Sequence, residues 1–424
     1  MILQTFTSNT IQSHVFTTKT YKTNTIILQL RTPLTREHIT EKALLPSILE
    51  RGTEHFPTRA HVQAALEDLY GASLTADVVK KGEHHVTTFR LEAANEKFLT
   101  DAEPLTERAF QLLASVLLHP NLEENAFPST SVEEEKRSHR QQLRAVYDDK
   151  MRYANKRLAE EMCRNEAYSI PVLGYEEDLE QLSPESIYHA YTELIRSAHW
   201  DLYVVGDIEP EDVRSYVEKY MKLPAAEPAD YTPDVYANAE ESRVVKEAQQ
   251  VQQSKLHIGY RTGTVFGEPD YFALQTANTL FGGAPHSKLF VNVREKASLA
   301  YYAASRLESH KGIMIVMAGI DESDYDQAVQ IIDKQLEAVQ AGDFTDEDID
   351  QTKAVLKNQI LETLDVPRGR VELEYQGVLT GHPVSAEQWM LEIDKVTKED
   401  IVRAAGRIVK DTTYFLHGKE HESA

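Results

Sequence analysis

Apolar and polar residues in the first half of the chain change from a strand pattern to a helix pattern and back. The β-branched, apolar run Thr25–Leu30 predicts a buried strand. A leucine-rich segment at 41–51 predicts a helix that stops at Gly52, and Thr58 is placed to cap a second helix. Two short strands joined by a tight turn at 80–82 complete a strand–helix–helix–hairpin order.

The rest of the first half is more polar. The charged segment 132–161 predicts one long helix, because its glutamate-rich start suits the positive end of a helix dipole. A strand at 200–206 and a short helix at 209–221 close this half. Residues 223–250 contain three prolines and little periodic apolar pattern, which predicts a linker. An alternating strand then begins at Val251.

The second half repeats this order of elements. A helix from Tyr271 ends at Gly282, and the turn glycine Gly312 lies 30 residues further on, the same spacing that separates Gly52 from Gly82. Chance recurrence of a common helix–helix–hairpin order is the alternative explanation. Duplication predicts an α+β fold with two homologous domains, each a mainly antiparallel sheet with helices packed beside it. The predicted parts are an N-terminal domain at 1–222, a linker at 223–250 and a C-terminal domain at 251–424.

Composition narrows the classes of function. A chain of 424 residues is too long for one core, and its net charge of −23 argues against binding nucleic acid or an anionic membrane surface. The single cysteine, Cys163, excludes an intramolecular disulfide and a multi-cysteine metal site. The N-terminus lacks the pattern of a signal peptide, and no apolar run has the length of a membrane span. These features predict a cytoplasmic protein.

One stretch, Phe281 to Tyr301, carries a family resemblance. Its features are Gly282-Gly283, Leu289-Phe290, Arg294-Glu295-Lys296 and Leu299-Ala300-Tyr301. In this order they resemble the second domain of the pitrilysin-type zinc metallopeptidases, also called insulinase-like or processing-peptidase-like. The resemblance covers nearly the whole chain, and it implies two α+β halves of bacterial peptidase type.

The family's zinc motif, H-x-x-E-H on a helix of the first domain, is missing. Aligning Arg51-Gly52-Thr53 with the turn that follows the motif places its three functional positions on Ala43, Pro46 and Ser47. The position of the third zinc ligand falls on Gln142. Alanine and proline offer no ligand atom, and serine and glutamine are poor zinc ligands. The resemblance therefore implies a degenerate metal site, with no catalytic residue, metal or cofactor in this chain alone.

Other histidines form only partial motifs. His38, Glu41 and Lys42 read H-x-x-E-K, without the second histidine and five residues too early relative to Gly52. The pair Glu54-His55 follows the end of the helix, and the neighbouring pair His84-His85 falls on a strand whose side chains alternate between faces. We interpret these histidines as solvated surface residues, and the sequence predicts no metal site.

In related peptidases the arginine and tyrosine of the second domain hold the substrate backbone and stabilise the carbonyl oxygen. The resemblance implies that role for Arg294 and Tyr301. Tyr302 is the competing phenol, and the alternative is an ion-paired arginine beside a half-buried tyrosine.

A chain with this pair and no zinc resembles the inactive partner of a heterodimeric peptidase. The expected partner is a zinc-bearing subunit of the same family, with a homodimer possible for the isolated chain, and the expected substrate is a peptide. The competing hypotheses are a non-catalytic structural or peptide-binding scaffold and an independent zinc peptidase with an unusual site.

Overall fold

The computed structural model divides into two compact units, each built from one sheet and its helices. The first unit comprises Met1–Ala145 and Ile170–Thr232, and the second comprises Val146–Ser169 and Pro233–Ala424. The structure describes residues 2–100, 103–224, 228, 231 and 242–418. No helix within these residues is both long and apolar enough to cross a membrane.

In the first unit, the described residues form a six-stranded sheet in the order β1-β2-β6-β3-β5-β4. Neighbouring strands are antiparallel except for β2 and β6, which are parallel. The strands are β1 (Ile2–Ser8), β2 (Ile11–Thr17), β3 (Thr23–Pro33), β4 (Ser73–Lys81), β5 (His84–Ala94) and β6 (His199–Gly206). The helices are α1 (Ile39–Leu49), α2 (Arg59–Glu67), α3 (Leu105–Leu118), α4 (Ser129–Asp148), α6 (Pro184–Ser197) and α7 (Pro210–Tyr220), and α4 runs across the boundary between the units.

The second unit has a five-stranded sheet in the described residues, in the order β7-β11-β8-β10-β9. Its strands are β7 (Arg243–Gln249), β8 (Ser254–Arg261), β9 (Ala300–Glu308), β10 (Ile313–Ile320) and β11 (Val409–Gly418). Its helices are α5 (Lys150–Met162), α8 (Tyr271–Asn278), α9 (Tyr325–Gln340), α10 (Asp346–Leu364), α11 (Pro367–Thr380), α12 (Ala386–Lys395) and α13 (Lys398–Ala405).

The two sheets share one topology. The order β2-β6-β3-β5-β4 in the first unit matches β7-β11-β8-β10-β9 in the second. Among these described strands the pairs β2–β6 and β7–β11 are parallel, and the other pairs are antiparallel. Alternate side chains of the central strand enter each core: Ile26, Leu28 and Leu30 from β3, and Leu256, Ile258 and Tyr260 from β8, 230 positions later. The prediction of a duplicated α+β fold is confirmed, and β1 has no counterpart among the described strands of the second unit.

The structure interrupts the single helix predicted at 132–161. The Asp149 side chain accepts hydrogen bonds from the backbone N–H groups of Met151 and Arg152, so it ends α4 and caps α5. The segment that contains α5 belongs to the second unit rather than to the range 1–222. Buried charges hold it there, because Arg261 of β8 binds Glu166 at 2.6 Å.

Part of the predicted linker, 223–250, is also a strand. β7 (Arg243–Gln249) pairs in parallel with β11, and its side chains alternate between exposed and half-buried positions. The apolar signal of such an edge strand is weak, since one of its faces is solvated. Residues 225–227, 229–230 and 232–241 of the predicted linker lie outside the described residues.

Candidate functional site

Two wide helical segments precede β9 in the second unit. α8 continues into a π-helical turn at Thr279–Gly283, and a second π-helical segment spans Phe290–Lys296. The Ala297 N–H closes the second segment by donating to the Asn292 carbonyl at 3.2 Å. Such i→i+5 turns are rare and frequently mark functional sites. The sequence predicts two ordinary helices in this stretch, whereas the structure contains two π-helical segments.

Gly282 lets the first of these turns approach β9 closely. A Cβ atom at this position would lie 2.7 Å from the backbone nitrogen of Ser305 and 2.6 Å from its hydroxyl oxygen. Real Cβ contacts are longer, so only glycine fits here without a shift of the strand. The adjacent Gly283 has more room, with its nearest neighbours at 3.2 Å or beyond.

Tyr301 occupies a β-bulge at the start of β9. In the described residues β9 pairs only with β10, and it is therefore an edge strand. Tyr302 lies opposite Gly319 and Ala300 lies opposite Ile320, which leaves Tyr301 as the extra residue. A bulge redirects the side chain that it carries, and Tyr301 is 83% exposed.

Arg294 and Tyr301 line the same open pocket, which has a volume of about 320 Å³ and also contains Asp321. The Arg294 guanidinium packs over the Phe290 ring at 4.5 Å, one turn earlier. Within the described residues no carboxylate forms an ion pair with Arg294, and no side chain or backbone group hydrogen-bonds the Tyr301 hydroxyl. Both donors are therefore available to a ligand in the pocket.

Tyr302 differs from its neighbour in how far a ligand can reach it. It is half-buried, with its ring beside Gly319, where a Cβ atom would lie 2.5 Å from the ring. Its hydroxyl is buried and makes no hydrogen bond to the described residues. Burial raises the pKa of Tyr302 to about 12. Of the two phenols considered from the sequence, Tyr301 is thus the one that a ligand can reach.

The positions of the expected zinc motif lie on α1, in the first unit. Ala43 and Pro46 are buried and Ser47 is half-buried, while Gln142 is exposed on α4. Among the described residues, the single group of three metal-binding side chains that lie close together contains none of these four positions.

A half-buried carboxyl directly follows the same helix and was not identified from the sequence. Burial raises the pKa of Glu50 to about 7, and the nearby Glu135 carboxylate adds to the rise while Arg59 opposes it. The Oε1 atom of Glu50 accepts no hydrogen bond from the described residues. The adjacent Arg51 pairs with both Glu134 and Glu135. Nothing in the sequence distinguishes Glu50 from the other glutamates of the chain.

Comparisons with known proteins agree with this architecture. A family model described as "Peptidase M16 inactive domain" matches residues 181–356. The chain is 46% identical over 413 residues to the "Probable inactive metalloprotease YmfF" of Bacillus subtilis (strain 168), and the match covers 97% of each protein.

Solved structures of other proteins share the fold described above. A conserved protein from Enterococcus faecalis V583 superposes with a TM-score of 0.90 at 31% identity, over 99% of this chain and 100% of that one. A structure of the peptidase M16 inactive domain from Pseudomonas fluorescens has a TM-score of 0.82 at 16% identity, over 100% of both chains. The second likeness concerns the fold alone.

Proposed function

Because the chain belongs to the M16, or pitrilysin-type, peptidase family and is of its inactive type, we propose that it is the zinc-less subunit of a heterodimeric peptidase. In this proposal a second subunit of the same family holds the zinc ion and its activated water. This chain contributes Arg294 and Tyr301 to the shared site, where a peptide is cleaved. The chain alone has no hydrolytic activity.

The observation that carries the proposal is the state of the two donors. Arg294 and Tyr301 line one pocket, and neither is engaged by another polar side chain among the described residues. A guanidinium and a phenol can both donate to a carbonyl oxygen as it gains negative charge. Preorganised donors of this kind contribute about 3–4 kcal/mol to the stability of a transition state.

The same pocket suits an extended peptide. Residues 298–301 form its wall and lead into β9, whose outer edge no described strand covers. An edge strand offers unpaired backbone N–H and C=O groups to which a peptide can add as a further strand. Arg294 and Tyr301 would then bind carbonyl groups of that peptide close to the bond that the partner cleaves.

The test requires both subunits. The chain is purified together with an M16 relative from the same genome that carries H-x-x-E-H, and hydrolysis of a fluorogenic peptide is measured. We expect Arg294→Ala and Tyr301→Phe each to lower kcat by about 10²–10³-fold, because each removes one donor from the transition state. Assembly of the complex, followed by size-exclusion chromatography, should not change.

Two matched variants on the same strand serve as controls. Tyr302→Phe removes the neighbouring buried hydroxyl, and Arg306→Ala removes an exposed guanidinium that pairs with Glu308. Both should retain turnover within a few fold. Unchanged turnover in the Arg294 and Tyr301 variants, with the complex intact, would contradict the proposal and support a non-catalytic scaffold instead. A cytoplasmic location stays a prediction from the sequence.

A further inference from the structure

A cluster of side chains in the first unit has the composition of a metal site. His38 directly precedes α1, and His189 and Glu193 are one turn apart on α6. One ligand atom from each of the three residues lies within 4.8 Å of the other two. From these residues we propose that the first unit binds a divalent transition metal ion, best represented by Zn²⁺, between the start of α1 and the middle of α6.

The distances require only a small contraction. The Nε2 atom of His38 lies 3.9 Å from the Oε2 atom of Glu193, and the two imidazole centroids are 5.6 Å apart. Ligand atoms of a tetrahedral zinc ion, each about 2.0–2.2 Å from the metal, are roughly 3.4 Å from one another. Because His189 is exposed and Glu193 is 41% exposed, side-chain rotation alone can close the difference.

A second contact orients His38 for this role. Its Nδ1 atom lies 3.2 Å from the Oε1 atom of Glu41, a half-buried carboxylate in the first turn of α1. A carboxylate at this place accepts the Nδ1–H and leaves the Nε2 lone pair free, on the side that faces Glu193. A histidine that binds zinc usually donates its other ring N–H to a carboxylate or carbonyl in this way, which fixes the orientation of the ring.

The charges around the cluster also favour a cation. Glu37 lies 3.7 Å from the Nε2 atom of His38 and is well exposed, so it can serve as a fourth ligand or leave that place to water. Lys42 lies 3.8 Å from the other oxygen of Glu193, Oε1, and opposes the metal. The carboxylates of Glu37, Glu41 and Glu193 outnumber this single ammonium group.

The backbone at His38 provides an independent sign of constraint. His38 has a φ of 56°, in the left-handed region, although its side chain makes no capping hydrogen bond to α1. Non-glycine residues seldom adopt this conformation, which tends to occur where the surroundings fix it for function. Here it presents the imidazole to α6. The inferred site ties two helices together and has no part in the proposed peptidase chemistry, so either idea can fail without the other.

The experiment measures zinc binding by the isolated chain. Metal-free protein is titrated with Zn²⁺ by calorimetry and with Co²⁺ by visible absorption, which reports tetrahedral coordination. The variants are His38→Asn, His189→Ala and Glu193→Ala; asparagine is chosen because it tolerates the left-handed backbone. Wild type should bind one ion with a rise in Tm, and each variant should lose at least about 100-fold in affinity.

Glu41→Gln removes the carboxylate charge beside His38 and should weaken binding by about 10–100-fold without changing the stoichiometry. His119→Ala removes an exposed histidine at the end of α3 and should leave the affinity unchanged. The inference is overturned if wild type shows no saturable binding, or if His38→Asn and His189→Ala bind Zn²⁺ as tightly as wild type. Circular dichroism of the metal-free variants establishes that each one is folded.

Discussion

The helix pair before the hairpin has become different in the two copies of the fold. In the first unit α1 and α2 are regular helices, whereas the corresponding stretch of the second unit, 230 residues later, contains two π-helical segments. By the same offset Arg294 corresponds to Ala64, and Tyr301, as the extra residue of the bulge, has no counterpart in the regular pairing of β4 with β5. The first copy therefore has no hydrogen-bonding side chain that corresponds to either of the donors that the second copy exposes.

The two stretches also differ in what their side chains contact. The motif positions on α1 are occupied by small or apolar residues, and most of that helix is buried. Residues at these positions contribute to packing and supply no catalytic group. In the second unit a bulge, a pair of π turns and the close approach at Gly282 all lie in the stretch that carries the exposed donors. Local irregularity that stability alone does not require is an indication of ligand binding.

The largest predicted effect comes from restoring the zinc-binding side chains that the first copy lacks. Ala43→His and Ser47→His restore two imidazoles at i and i+4 on α1, and Gln142→Glu restores the third ligand. In a His38→Asn background, which removes the other inferred site, this triple variant should gain zinc affinity of about three orders of magnitude over its parent. Calorimetry and metal analysis measure the gain.

The control for this variant carries Ser47→His and Gln142→Glu but retains Ala43. It should bind zinc far more weakly, because two ligands do not hold the ion tightly. A triple variant that folds and still binds no zinc would show that more than the ligands distinguishes this helix from that of an active peptidase.

The sequence predicts the regular parts of this comparison well. The spacing of Gly52 and Gly82 repeats in Gly282 and Gly312, and this repeat predicts the duplication that the two sheets confirm. It does not predict the bulge at Tyr301, which depends on the pairing of β9 with β10. Hydrogen bonding of a π turn is likewise set by tertiary contacts rather than by local propensity.

The sequence also does not predict contacts between residues that are far apart along the chain. His38 lacks a second histidine nearby in the chain, and the structure supplies His189, 151 positions away. A single sequence contains no signal for such a pairing. The break at Asp149 is different, because an aspartate that can cap a helix was visible, but the continuous charged pattern on both sides favoured one long helix.

Gly282 offers the next largest effect. In Gly282→Ala the new methyl group meets the Ser305 backbone, and we expect a loss of about 2–3 kcal/mol in the free energy of unfolding. Gly283→Ala is the matched control, since its Cβ has contacts no shorter than 3.2 Å; its cost should be below about 1 kcal/mol. Urea denaturation measures both values, and equal losses in the two variants would contradict a special close approach at Gly282.

The smallest predicted effect concerns Glu50, whose counterpart in the second copy is the buried, apolar Leu280. Burial raises the pKa of Glu50 from 4.5 to about 7 in the folded chain, so between these values the folded state holds a proton that the unfolded state has released. Raising the pH through this window must therefore destabilise the fold. The full shift corresponds to about 3 kcal/mol, and the partial exposure of the Glu50 side chain reduces the expected loss to about 1–2 kcal/mol.

Glu50→Gln removes the titration while keeping the shape of the side chain, and Glu50→Leu makes the position resemble its counterpart in the second unit. Relative to wild type, both variants should gain about 1–2 kcal/mol between pH 4.5 and pH 8. Because Asp201 in the same unit also has a raised pKa, about 6, the difference between variant and wild type at each pH is the quantity to measure. An equal difference at both pH values would mean that Glu50 is ionised in the folded chain, and that the first copy tolerates a charge where the second has leucine.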